Sequence, residues 1–117
     1  MPFKFQGHVI YEQLELYTKD LFVFTGRLPN YESNGLIKQI RSLGIDLVQT
    51  FAEGFVRTSQ TGAAEALEKC ISTVARITSL IDLCFKLDYI DKRTNDRWTN
   101  MSDELTKRLY ENHKSLH

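Results

Sequence analysis

The sequence predicts an all-α fold, an antiparallel up-down-up-down four-helix bundle, and three observations predict it. Four segments carry apolar residues at three- and four-residue steps, the period of a helix buried along one side. Short breaks made of Pro, Asn, Ser, Thr, Gly and Asp separate them, and connections that short make sequential helices antiparallel. No segment alternates apolar and polar residues as a half-buried strand does. A chain of 117 residues has the size of one domain with one core, so residues 1–117 are read as a single bundle.

The first helix is expected from about Val9 to Arg27, where Ile10, Leu14, Tyr17, Leu21, Phe24 and Leu28 alternate four- and three-residue steps. Met1 to Gly7 is read as irregular or extended. Pro29, Asn30 and Tyr31 break the helix, because proline lacks a donor and disfavours helical geometry in the residue before it. Ser33 or Asn34 is the expected N-cap of a second helix that runs to about Arg57. Its apolar row is Leu36, Ile40, Leu43, Leu47 and Phe51, with Ile37, Gly44, Val48 and Phe55 beside it.

A polar break from Thr58 to Gly62 supplies several caps for a third helix, about Thr61 to Leu87. It carries Leu67, Cys70, Val74, Ile77, Ile81 and Cys84, and Ile71, Leu80, Leu83 and Leu87 widen the stripe enough to face more than one neighbour. Tyr89 and Ile90 pack the next turn. Asp91 or Asn95 starts the fourth helix, which uses Trp98, Met101, Leu105, Leu109 and Leu116 and, being sparsely apolar, lies on the outside.

Composition narrows the function. Fifteen Lys and Arg balance fifteen Asp and Glu, so no global field draws the chain to nucleic acid or to an anionic membrane. The N-terminal stretch lacks the apolar region of a secretory signal, and no apolar run approaches the roughly 18 residues of a membrane span. A cytoplasmic protein without membrane partners is expected. Cys70 and Cys84 stand on one helix about 21 Å apart at 1.5 Å per residue, too far to bridge, and read as small core residues. His8, His113 and His117 have no Cys or carboxylate at ligand spacing, so neither a metal nor a cofactor is expected.

The stretch from Gly35 to Arg57, GLIKQIRSLGIDLVQTFAEGFVR, joins the second apolar row to a polar pattern. Gly35, Leu36, Gln39, Ile40 and Arg41, then Ala52, Glu53, Gly54, Phe55, Arg57 and Ser59, and finally Leu87, Tyr89 and Ile90 resemble the bacterial four helix bundle protein family. That family is also called the 23S rRNA intervening-sequence protein family and includes the accessory variability determinants of retroelements. Leu28 and Pro29 are similar to its aromatic-proline helix end. Val48 stands where the family often has proline, which removes a reason for a kink, and Thr50 where it often has asparagine. Gly62, Ala63 and Ala66, with Arg76 and Thr78, depart from acidic or aromatic positions.

The resemblance implies a ring-like or barrel-like homopentamer acting as a non-enzymatic scaffold or interaction protein. It implies as an alternative an accessory factor that binds RNA or a nucleic-acid-processing protein. Gln39, Arg41, Glu53, Gly54 and Arg57 are the interface candidates, and Phe22, Phe51 and Phe55 are aromatics that an oligomer would bury. Glu53 and Arg57 form an i,i+4 pair in the favourable order, which suits bracing a helix end. As a general base Glu53 has no His, Cys or second carboxylate beside it, so no catalytic residue is assigned and no enzyme is expected. Gly54 suits either a close helix approach or a relaxation of the helix before its end. For nucleic acid the candidates are Arg93, Arg97 and Arg108, although Asp96, Asp103, Glu104 and Glu111 interleave with them. Trp98 and Tyr110 have the rings to stack on bases, yet Trp98 begins the apolar row and reads first as core.

Overall fold

The computed structural model describes residues 4–114. A 3-10 turn, Lys4–Gly7, leads into α1 (Val9–Thr25), and a second, Asn30–Glu32, leads into α2 (Leu36–Phe55). Then come α3 (Gln60–Lys86) and α4 (Lys92–Lys114), and the described residues contain no strand. Helices adjacent in sequence pack together, α1 on α2, α2 on α3 and α3 on α4, whereas α1 and α4 touch only sparsely. The molecule measures 44 × 26 × 19 Å. Its length is that of α3, since 27 residues at about 1.5 Å each span about 40 Å.

The core is built from the expected rows. Ile10, Leu14, Tyr17, Leu21 and Phe24 of α1 meet Leu36, Ile40, Leu47 and Phe51 of α2. Leu67, Cys70, Val74, Ile77, Ile81 and Cys84 of α3 and Trp98, Leu105 and Leu109 of α4 complete it. Leu116 lies outside the described residues. Two assignments need correction. Leu83 and Leu87 do not widen the buried stripe of α3 but are exposed, because helical phase turns them away from the side that Ile77, Ile81 and Cys84 bury. Phe51 is not an outward aromatic: it is 4% exposed, enclosed by His8, Tyr11 and Phe55.

The helix ends show which side chains set the boundaries. His8 caps α1 by accepting the Ile10 N–H at Nδ1, 3.1 Å away; of the segment expected to be irregular, Lys4–Gly7 is a 3-10 turn that leads to this cap, and Met1 to Phe3 lie outside the described residues. The N-cap of α2 is Gly35, not Ser33 or Asn34. The Ser33 hydroxyl is spent on the Asn30 carbonyl at 2.6 Å. Glu32 takes over instead, one carboxylate oxygen accepting the Leu36 N–H at 3.3 Å and the other the Tyr89 hydroxyl at 2.8 Å. α2 stops at Phe55, two residues short of the expected Arg57.

Ser59 caps α3 through the Gly62 N–H at 3.0 Å, and Asp91 caps α4 through the Thr94 N–H at 2.8 Å. The hydrogen bonds from Thr94 hold the Asp91 carboxyl below its usual range. α3 closes with the Tyr89 N–H on the Cys84 carbonyl and the Asp88 N–H on that of Phe85. That pairing needs a left-handed residue at Asp88, which adopts φ 63°.

Candidate functional site

The five interface candidates divide into two places. Arg41 leaves α2 sideways and clamps α1: its Nε donates to Thr25 Oγ1 at 2.7 Å and its Nη2 to the Phe22 carbonyl at 3.3 Å. Its guanidinium carbon lies 4.9 Å from the centre of the Phe22 ring. Thr25 is fully buried and passes its own proton to the Phe22 carbonyl at 3.0 Å, so Arg41 satisfies groups that α1 exposes on this side. Gln39, two residues earlier, points to solvent with no side-chain hydrogen bond among the described residues.

Glu53, Gly54 and Arg57 gather at the other end of α2. Glu53 and Arg57 form the expected ion pair, and the bond from Arg57 lowers the Glu53 carboxyl below its ordinary value. The aliphatic stem of Arg57 crosses the first turn of α3 over Gly62, where an added Cβ would fall 2.9 Å from its Cδ. Gly54 faces Ala66 so closely that a Cβ on it would lie 2.3 Å from the Ala66 Cβ. The trio therefore ties the end of α2 to the start of α3.

Beside it opens a cavity of about 350 Å³, with Phe51, Phe55 and Leu67 as its apolar lining and His8, Arg57 and Ser59 among its polar groups. The imidazole packs 5.5 Å from Phe51 and 5.3 Å from Phe55, centre to centre. These three already have structural partners: His8 caps α1, Ser59 caps α3 and Arg57 holds Glu53. The cavity thus offers shape and apolar contact, with these polar groups engaged in the helix ends.

The arginines proposed for nucleic acid share one face of α4 but do not cluster. Fifteen residues separate Arg93 from Arg108, which spreads them over about 22 Å. Glu104 sits in the same row and pairs with Arg108 at 3.6 Å, and Lys92 and Lys107 pair with Asp96 and Asp103 at 2.9 and 3.4 Å. Only Arg93 and Arg97 stand together, over a shallow hollow that also includes Lys92 and Asn100. Trp98 is core at 2% exposure, its ring against Tyr17 and Phe24 at 5.5 and 5.3 Å. Tyr110 is exposed.

The sequence reading missed the seam between α1 and α4. Hollows of about 570, 210 and 420 Å³ follow one another along it. The buried Trp98 Nε1 and Gln13 Oε1 have no hydrogen-bond partner among the described residues. Along its lip Val9, Leu16 and Val23 are exposed. Their seven-residue spacing was the available signal, and it lay outside the core row.

Burial pushes the Cys70 thiol up to about 12 and, with the Glu32 carboxylate nearby, the Cys84 thiol up to about 11. Both remain protonated at neutral pH and serve as packing groups. The described residues contain no group of three or more His, Cys, Asp or Glu placed to hold a metal. None of their helices is long and apolar enough to cross a membrane. Comparison with protein-family models and with curated proteins returns no match.

Proposed function

We propose that this protein is a non-enzymatic scaffold or interaction protein that works by self-association. The observation that carries the reading is the row Val9, Leu16 and Val23 on α1, which are 62, 59 and 53% exposed. Full burial of such side chains is worth about 1.5 to 3 kcal/mol each, and three in one row on the surface mark a face with an occupant. The polar signature supports the same reading from the other side. Arg41, Glu53 and Arg57 are bound within the fold, which suits a bracing role.

The resemblance to the four helix bundle protein family adds a homopentamer to this proposal, about 68 kDa from five chains of 13.6 kDa. Light scattering at micromolar concentration tests the proposal, and a multiple of the chain mass is expected. A monomer at every concentration would overturn it.

A second reading, an accessory factor that binds RNA, is favoured by Arg93 and Arg97, neither of which is in an ion pair among the described residues. Each neutralised phosphate contributes about 0.7 to 0.9 to the logarithmic salt slope, so two contacts per chain fade at physiological salt unless several subunits share one strand. Fluorescence titration of single-stranded and structured RNA should show weak binding at low salt that Arg93→Ala with Arg97→Ala removes. Tight binding that survives both the salt and the substitutions would place the contact elsewhere.

A further inference from the structure

The self-association proposed above leaves open which face is used and with what symmetry. We propose that two copies pair through α1, antiparallel, about a two-fold axis at Leu16. In a two-fold contact the same patch faces itself, so a residue a given number of steps before the axis meets the one the same number after it. Val9 and Val23 are each seven residues from Leu16. The rotation therefore sets Val9 against Val23 of the partner subunit, twice, with Leu16 on Leu16 of the partner subunit between them. The row becomes continuous aliphatic contact over about 21 Å.

Side-chain charge and the helix dipoles together suit the antiparallel direction. Glu12 and Lys19 lie on the solvent side of the row, both exposed and neither in an ion pair among the described residues. They stand about 6 Å before and about 4.5 Å after the axis along the helix. The antiparallel arrangement brings Glu12 level with Lys19 of the partner subunit to within about 1.5 Å, on the same flank and twice per contact. A parallel pair would instead set Lys19 beside Asp20 of the partner subunit, but it would also align the two helix macrodipoles, which the antiparallel arrangement opposes. On the other flank Gln13 and Asp20 turn toward α4 of their own chain, where they line a hollow with Glu104 and Arg108. The match needs no net charge on the chain, which has none. Being two-fold, the contact doubles whatever the remaining surface assembles: a lone chain becomes a dimer of about 27 kDa from two 13.6 kDa copies, and a ring joins a second ring.

The test combines particle mass with charge reversal. Leu16→Glu should halve the mass measured by light scattering while the helical circular dichroism is kept, since Leu16 is exposed and its replacement leaves the core intact. Glu12→Lys alone and Lys19→Glu alone should each weaken pairing about tenfold, because attraction turns to repulsion at two sites. The two together should restore it. Leu16→Cys, in a chain whose own cysteines are buried, should cross-link to itself on mild oxidation. An oligomer whose mass ignores Leu16→Glu, or a double reversal no better than the singles, would overturn this contact and leave self-association standing. A wild-type monomer would remove both.

Discussion

The seam between α2 and α3 is closed by small residues, and the seam between α1 and α4 is held by large ones. At the first, Gly54 presents no side chain to Ala66, and Cys70 is close enough for its thiol to reach the Leu47 carbonyl at 3.8 Å. The backbones approach at these levels, and the space that remains lies at the end of the seam, in the cavity beside Phe51 and Phe55. At the second, the rings of Tyr17, Phe24 and Trp98 meet edge to face or tilted, and the Tyr17 and Ser102 hydroxyls hydrogen-bond at 2.8 Å. Rings of that size keep the helix axes apart, so hollows form between them and buried polar atoms go without partners. A close seam depends on smallness on both sides at one level. An open seam tolerates many residues, and α4 correspondingly depends on α3 for its close packing.

The largest effect should come from closing the space that the tight seam needs. Gly54→Leu places a branched side chain where even a Cβ meets Ala66 at 2.3 Å, and should cost about 3 kcal/mol in urea denaturation. Gly54→Ala should cost less, because alanine gains up to about 1 kcal/mol of helix propensity over glycine. Adding Ala66→Gly to Gly54→Ala should recover part of the loss, although Ala66→Gly alone destabilises. A Gly54→Ala variant as stable as the parent would mean that the two backbones are free to move apart, and the contrast between the seams would collapse.

Alkaline pH separates the seams by their titrating groups. Cys70 and Cys84 are raised from 9.0 to about 12 and about 11, and Tyr17 from 10.0 to about 12, in each case first by burial. A folded value above the unfolded one means the native state holds its proton longer. That stability is complete below the unfolded value and is lost as pH climbs through the folded one. Melting temperature should begin to fall above about pH 9 through the thiols on α3 and more steeply above about pH 10 through Tyr17. Cys70→Ala should flatten the first part of the decline and Tyr17→Phe the second. A curve flat to pH 11 would show that neither seam keeps its groups from water.

Arg41 tests the third seam, between α1 and α2, which is intermediate in character. It is close at Gly44, where a Cβ would lie 3.0 Å from Thr18 Cγ2, and it is clamped from outside by the guanidinium. Arg41→Lys keeps the charge but loses the planar fork that reaches Thr25 and the Phe22 carbonyl together, and should cost about 1 kcal/mol in thermal unfolding. An unchanged melting temperature would make the clamp a surface ornament.

These contrasts also mark what a reader of the sequence can see. The four rows of apolar residues were legible because each is a local pattern, and Gly54 was legible as a close approach because a glycine in a helix interior carries a cost that packing must offset. The cap of α2 was not, since it depends on Glu32 lying between Leu36 and Tyr89, 57 residues from the latter. Nor was the open seam. Whether two helices that are distant in sequence touch closely is decided by the levels at which Tyr17, Phe24 and Trp98 meet, and no spacing within either helix contains that information. The arginines failed as a cluster for a related reason: helical phase put them on one face, but rise per residue spread them along it.

The smallest effect, and the one that discriminates best, is expected from Trp98→Phe. Removing part of the indole from a site that is 2% exposed loses apolar contact with Tyr17 and Phe24, which destabilises. It also removes the Nε1–H, which is buried without a partner among the described residues and whose desolvation costs about 1 to 3 kcal/mol. The two changes oppose each other, so the net effect should lie within about 1 kcal/mol of zero, far from the 3 to 5 kcal/mol typical of truncating a buried tryptophan to alanine. Tyr17→Phe across the seam has no such compensation, because it strands the buried Ser102 hydroxyl, and should destabilise by about 1 kcal/mol. Thermal melts of the two variants side by side decide the matter. If Trp98→Phe proves the more damaging, the indole N–H has a partner and the seam is closed, as that between α2 and α3 is.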